Sequence, residues 1–177
     1  MARAFAAARG KEPWTAIFAS PLKRTVATAQ PIAEATGLKP QLRDDLKEIH
    51  YGKWEWKAPE AIDREFHDDY LRWSADPAWN APTGGEPAIA IARRALQVVE
   101  EIKSRHAEGQ VLVVSHKATI RILLCGLLGV DVGRFRYRFA CPVGSVSHIE
   151  FTNEGPLLHS LADRTHLSTE LRSLPGT

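Results

Sequence analysis

The residue with the most chemical promise is His116, because Ser115-His116-Lys117 stands where an apolar run gives way to a helical pattern. Val111, Leu112, Val113 and Val114 form an unbroken apolar run rich in β-branched residues, the pattern of a strand buried on both faces of a parallel sheet. Ile120, Leu123, Leu124, Leu127 and Leu128 then recur at helical spacing, one stripe of an α-helix ended by Gly129. The three residues between lie at the carboxyl end of a strand and the amino end of a helix. Open α/β sheets bind ligands at that edge, and the free N–H groups of a helix start favour an anion. Taken alone, His116 is a polar residue at a strand end; its weight rests on what else the chain brings to the same edge.

The elements that must position it can be read in order. Residues 2–9 are alanine-rich and helix-forming, stopped by Gly10. Residues 15–19 (TAIFA) read as a short strand, followed by Ser20-Pro21, which has the form of a helix start with an N-cap serine and proline at the first position. Leu22, Val26, Ala29 and Ala33 keep helical spacing, with Pro31 expected to bend or interrupt that helix. Residues 39–43 suit a short edge strand, and residues 46–56 (LKEIHYGKWEW) form an aperiodic loop dense in aromatics and charge. Ile62, Phe66, Tyr70 and Trp73 suggest a second amphipathic helix, and a turn at residues 80–87 precedes a third that runs to about Arg105, with Ala92, Ala95, Leu96, Val99 and Ile102 inward. A basic segment at 134–138 and strand candidates at 145–151 and 157–161 close the pattern.

Composition narrows the classes. A chain of 177 residues, 44% hydrophobic and 25% charged, has an ordinary globular balance. A net charge of +2 is too mild to argue for nucleic acid or a membrane surface, though it leaves room for a small-anion site. No apolar run approaches a membrane span, and residues 1–10 lack a signal-peptide layout. Cys125 and Cys141 sit in apolar contexts and read as reduced packing residues, which points to the cytoplasm. No spacing of His, Cys or acids resembles a metal site, and neither a nucleophile elbow nor a Gly-rich nucleotide loop occurs, so no cofactor is implied.

Four segments in order, SPLKRTVATAQPIA, LKEIHYGKWEW, PTGGE and VLVVSHKATIRILL, resemble the histidine phosphatase superfamily, the phosphoglycerate mutase-like proteins. The resemblance covers residues 2–151 or thereabouts. It implies a three-layer α/β/α fold with a mostly parallel sheet, and transfer of a phosphoryl group to a histidine and then to water. It implies, residue by residue, that Arg24 binds phosphate, a task suited to a permanently charged fork. Glu48 matches the general acid that protonates the leaving oxygen, kept protonated by the neighbouring dianion. His116 matches the second active-site histidine, which donates hydrogen bonds to phosphoryl oxygens. The partner implied is a small phosphorylated substrate.

The departures are as informative. Lys117 stands where the family has glycine, so it either adds a phosphate contact or crowds the pocket. Leu-x-Arg-His-Gly, the first-strand motif carrying the nucleophilic histidine, is absent; Arg105-His106 is followed by Ala107 and ends a helix. His50, His67, His148, His159 and His166 have no comparable strand–turn setting. The resemblance puts the missing first strand mid-sheet, between residues 15–19 and 111–115. The expectation is therefore one domain over residues 1–177, truncated at its N-terminus before or including the Arg-His-Gly motif. Such a chain would be nearly inactive and open to self-association through unpaired strand edges. Two alternatives stay open: a non-catalytic phosphate-binding or protein-interaction relative, and a phosphoglycerate mutase. The short segment 48–84, without the insertion associated with glycolytic mutases, favours a phosphatase.

Overall fold

A computed structural model describes residues 1–175. The chain forms α1 (Ala2–Arg9), β1 (Trp14–Ala19), α2 (Lys23–Thr36), β2 (Gln41–Leu42), α3 (Pro59–Glu65), α4 (His67–Ala75), α5 (Ala88–Arg105), β3 (Gln110–Val114), α6 (Lys117–Leu127), α7 (Phe135–Arg138), β4 (Val146–Thr152), β5 (Gly155–Asp163) and α8 (Thr169–Ser173). Three strands make a parallel sheet in the order β2-β1-β3, and β4 with β5 forms a separate antiparallel hairpin.

Strand periodicity divides the core into layers. Ile17 and Ala19 pack with Ala6 of α1 and with Ala29, Ile32 and Ala33 of α2, while Ala16 and Phe18 meet Leu46 and the Val98 and Ile102 side chains of α5. The three layers are thus α1 and α2, the sheet, and α5. Next to α5 lies α6, packed through Ala118, Ile122 and Cys125 against Ala88, Ile91 and Ala92.

Several expectations are corrected. The resemblance placed an absent strand between β1 and β3, but these two pair directly, Ile17 opposite Leu112 and Ala19 opposite Val114. The open edge is the other side of β3, and the free hairpin is the remaining β element. Accordingly β3 is only half-buried, where its apolar run suggested burial on both faces. Residues 62–73 do not form one helix: Phe66, at φ −135°, separates α3 from α4. Pro31 does not interrupt α2, and that helix begins at Lys23 with Leu22 at its cap. Ser20 is spent elsewhere, as shown below. In α6 the stripe from Ile120 to Leu128 is buried only at Leu124, and the face packed on α5 is that of Ala118, Ile122 and Cys125. This helix is apolar almost all round, so periodicity could not choose its face, and the small residues that allow close approach to α5 decide it.

Within a strand, the N–H and C=O of one residue point to the same side, and successive residues alternate. The Ser20 N–H donates to the Val114 carbonyl at 3.0 Å, so Val114 and Leu112 face β1 whereas Val111 and Val113 face the open edge. Amide exchange is therefore expected to be slow at Leu112 and Val114 and fast at Val111 and Val113. Equal protection at all four, measured by NMR in dilute solution, would show that the edge is covered.

Candidate active site

The site is assembled where β1 and β3 end. β1 delivers Ser20 and, one turn later, Arg24 in the first turn of α2; β3 delivers Ser115 and His116, the cap residue of α6. Direct β1–β3 pairing brings these ends together. Arg24 Nε donates to His116 Nδ1 at 3.0 Å, and His116 Nε2 lies 2.8 Å from Ser20 Oγ. A guanidinium can only donate, so Nδ1 is the acceptor and the ring proton sits on Nε2, which donates to Ser20 Oγ. Arg24 and His116, expected together, are together. Ser20 is a partner that sequence reading assigned to a helix cap instead.

His116 is buried, 6% exposed, in a polar cage. Burial, and after it the Arg24 charge, lower its pKa from the ordinary imidazole range to about 4, with Glu48 opposing. The imidazole is therefore neutral near neutral pH, a donor from Nε2 alone.

Glu48 arrives on the loop between β2 and α3 and turns its carboxylate onto the start of α6. Its oxygens accept from the N–H groups of Ala118 (3.2 Å) and Thr119 (3.1 Å) and from its own neighbour Ile49 N–H (3.0 Å). The helix start that sequence reading offered to a ligand anion is thus already occupied by a protein carboxylate. This is the usual attraction of negative charge to free N-terminal amides, supplied from a distant loop.

That loop is clamped along its length. Ser115 Oγ donates to Leu46 O at 2.8 Å, Thr119 Oγ to Lys47 O at 2.8 Å, and Arg94 of α5 reaches the Asp45 carbonyl while pairing with Glu86 at 2.8 Å. Farther on, Gly52 (φ +58°) and Gly85 lie against each other's backbones: a Cβ on Gly52 would sit 2.3 Å from Thr83 O, and one on Gly85 would sit 2.4 Å from His50 O. Only glycine fits at this crossing, which gives the PTGGE segment its purpose. Lys117, expected at the phosphate, is exposed and borders a neighbouring cavity with Glu48, Tyr51, Arg121 and Arg136. Sequence reading missed the last two, which lay in a helix and a basic segment with no motif to mark them. Among the described residues no cluster of His, Cys, Asp or Glu could hold a metal ion, and no helix is long and apolar enough to cross a membrane.

Comparison with known proteins gives concordant results. A family model described as Histidine phosphatase superfamily (branch 1) matches residues 1–164. Phosphoserine phosphatase 1 of Hydrogenobacter thermophilus is 34% identical over 157 residues, 89% of this chain and 74% of that protein. Glucosyl-3-phosphoglycerate phosphatase of Mycobacterium tuberculosis is 31% identical over 134 residues, so that this chain, matched over 71% of its length, spans 60% of that relative. A solved mycobacterial glucosyl-3-phosphoglycerate phosphatase in complex with inorganic phosphate has a TM-score of 0.80 and 26% identity, covering 94% of this chain and 84% of that one. An α-ribazole phosphatase from Shigella flexneri, at 22% identity over 92% and 80% of the two chains, shares the fold with a TM-score of 0.81.

Two expectations follow from the geometry. Between about pH 6.5 and about 4 the unfolded chain binds a proton that folded His116 refuses. Its contribution to stability is complete above the unfolded value and is lost as pH falls through that window. Urea midpoints should therefore fall more steeply over this range in the parent protein than in His116→Gln, and parallel slopes would assign the acid sensitivity elsewhere. Glu48→Ala leaves the buried Ala118 and Thr119 amides without their acceptor and should cost about 1–3 kcal/mol. An unchanged urea midpoint would mean that water reaches those amides.

Proposed function

Because the chain belongs to the histidine phosphatase superfamily, we propose that it is built to hydrolyse phosphomonoesters at the Arg24–His116–Glu48 site. The observation carrying this reading is the 3.0 Å bond between Arg24 and His116, residues 92 positions apart that meet at the carboxyl ends of neighbouring parallel strands. Arg24 supplies permanent charge to two phosphoryl oxygens, and His116 supplies a directed N–H once Ser20 releases it. An arriving dianion also favours the protonated imidazole, offsetting the charge of Arg24.

The reaction takes two displacements. A histidine nitrogen outside this sequence attacks phosphorus, the bond to the ester oxygen breaks, and Glu48 in its acid form supplies that oxygen with a proton. Water then attacks the phosphohistidine, the P–N bond breaks, and the Glu48 carboxylate takes the water proton. To play this part Glu48 must exchange a helix amide for a proton before the first step, so its bonds to α6 re-form as it gives that proton to the ester oxygen and loosen again as it takes one from water.

The attacking histidine has a natural position. A strand laid parallel on the open edge of β3 would end beside Ser115 and His116, aiming its last residue across the phosphate at Arg24. The sequence contains no Leu-x-Arg-His-Gly segment to form it. Residues 1–177 are in this reading a single phosphoglycerate mutase-like domain lacking its nucleophile strand, and the exposed β3 edge is open to pairing with a second copy. The activities named for the relatives, on phosphoserine and on glucosyl-3-phosphoglycerate, favour hydrolysis over mutase chemistry. A second reading, a phosphate binder without turnover, is favoured by one feature: both ring nitrogens of His116 already have protein partners.

Calorimetry with phosphate or vanadate should show binding that Arg24→Ala weakens by about 1.5–3 kcal/mol, the range for a charged hydrogen bond. Turnover of an aryl phosphate should be near background in the chain itself. Appending a strand ending in Arg-His-Gly should raise turnover and melting temperature together, and changing the added histidine to alanine should remove only the turnover. Phosphate binding indifferent to Arg24 would remove the site; a stabilising strand that brings no turnover would leave the binder.

A further inference from the structure

His116 Nδ1 accepts from Arg24 Nε at 3.0 Å and Nε2 lies 2.8 Å from Ser20 Oγ, so neither ring nitrogen is spare. The two partners differ in freedom. Ser20 is 0% exposed, fixed by its own N–H on the Val114 carbonyl and by Thr25 Oγ, which donates to its carbonyl at 2.9 Å. Arg24 is exposed, and among the described residues its guanidinium makes no other hydrogen bond and no ion pair. An arriving anion therefore finds Arg24 free to turn towards it.

The bond between Arg24 and His116 excludes a proton. An imidazole nitrogen that accepts from a guanidinium has no lone pair left for one, so this bond and an imidazolium cannot coexist. A tetrahedral dianion draws the guanidinium into a forked grip on its oxygens. A ring that turns Nε2–H from Ser20 to a phosphoryl oxygen also carries Nδ1 away from Arg24, because both nitrogens belong to one rigid ring. Either movement leaves Nδ1 a bare acceptor on a side chain only 6% exposed. A buried acceptor without a donor is costly, and imidazole has a remedy that a carbonyl lacks, which is to take a proton. The surrounding charges act in the same sense. Burial, then Arg24 of α2 and lastly Arg94 of α5 hold the ring neutral down to about 4 against Glu48 of the β2–α3 loop, and Lys117 follows it on α6. A dianion on Arg24 replaces the foremost of those positive charges by a net negative one.

We infer that the Arg24–His116 bond is a latch that anion binding opens, each tetrahedral dianion bringing a proton from solvent onto His116 Nδ1. The new N–H bond uses the ring lone pair, water or buffer gives up the proton, and nothing is oxidised or reduced. Arg24 and a cationic His116 then face the phosphoryl group together, a pairing of like charges that only the anion sustains. The inference rests on the phosphatase reading of this site and adds to it a linkage. Because binding takes up a proton, affinity falls as pH rises, by up to about tenfold per pH unit.

The test is calorimetry of the full chain with sulfate, a tetrahedral dianion that does not itself titrate near neutral pH. At pH about 5.5, between the His116 value of about 4 and the ordinary imidazole value, the heat should vary with buffer ionisation enthalpy as for about one proton taken up per sulfate. The ring-nitrogen NMR signals of His116 should pass from a neutral, Nε2-protonated pattern to that of an imidazolium. His116→Gln should abolish the uptake, and Glu48→Gln should leave it in place, which separates the two groups able to gain a proton. Sulfate binding that Arg24→Ala weakens but that takes up no proton overturns the latch and leaves the phosphatase reading standing. Uptake surviving His116→Gln overturns it too, and binding indifferent to Arg24 removes both readings. Uptake at His116 in a strand-restored protein that hydrolyses no phosphomonoester would keep the latch and discard the phosphatase. Should His116→Gln fail to fold, the parent chain decides alone: ring nitrogens unmoved by saturating sulfate overturn the inference.

Discussion

The bond on which the site depends is the grip of the Glu48 carboxylate on the first amides of α6. A helix start inside a protein leaves N–H groups that must find acceptors, and here the acceptor comes from a loop 70 residues earlier in the chain. That single contact fixes three things. It sets the rotation of α6, and hence where His116 points; it anchors the aperiodic loop at 43–56; and it lines one wall of the basic cavity. The remaining clamps, from Ser115, Thr119 and Arg94, all act on backbone carbonyls of the same loop. A carboxylate used this way is positioned by several donors at once, which is what a proton-transfer group needs.

Much of this was legible in the sequence because it obeys local rules. The apolar run of β3, the long amphipathic α5 and the strand–turn–helix at His116 announce themselves by period and punctuation. Segments in family order then tied Arg24 and Glu48 to the same edge. Strand order could not be read this way: nothing in TAIFA or VLVV states which strand lies next to which, and the absent strand was accordingly assigned to the wrong side of β3. The face of α6 was missed for a related reason, since leucines on every side give no contrast and the contact with α5 is chosen by Ala118 and Cys125. Ser20 was misread because a serine before proline is a good helix cap, and only the fold reveals that His116 competes for its oxygen.

Arg121 and Arg136 were illegible for another reason. One sits in an apolar helix and the other in a basic run, and in sequence both resemble solvated charges. What distinguishes them is the cavity they line together with Glu48 and Tyr51, visible only once every neighbour is in place. Lys117 falls between these cases: flagged as a departure from family glycine, it is found exposed at the border of the cavity beside Glu48.

The β4–β5 hairpin shares no backbone ladder with the three-stranded sheet, and this has a consequence for how the molecule comes apart. Cooperativity between two parts depends on the contacts they share, so the hairpin can open as a subglobal unit with a free energy of its own. All five tryptophans, Trp14, Trp54, Trp56, Trp73 and Trp79, lie outside it. Their fluorescence therefore follows the melting of the sheet and helices and is blind to the hairpin, while far-ultraviolet circular dichroism records both, so the two signals trace different transitions in one molecule.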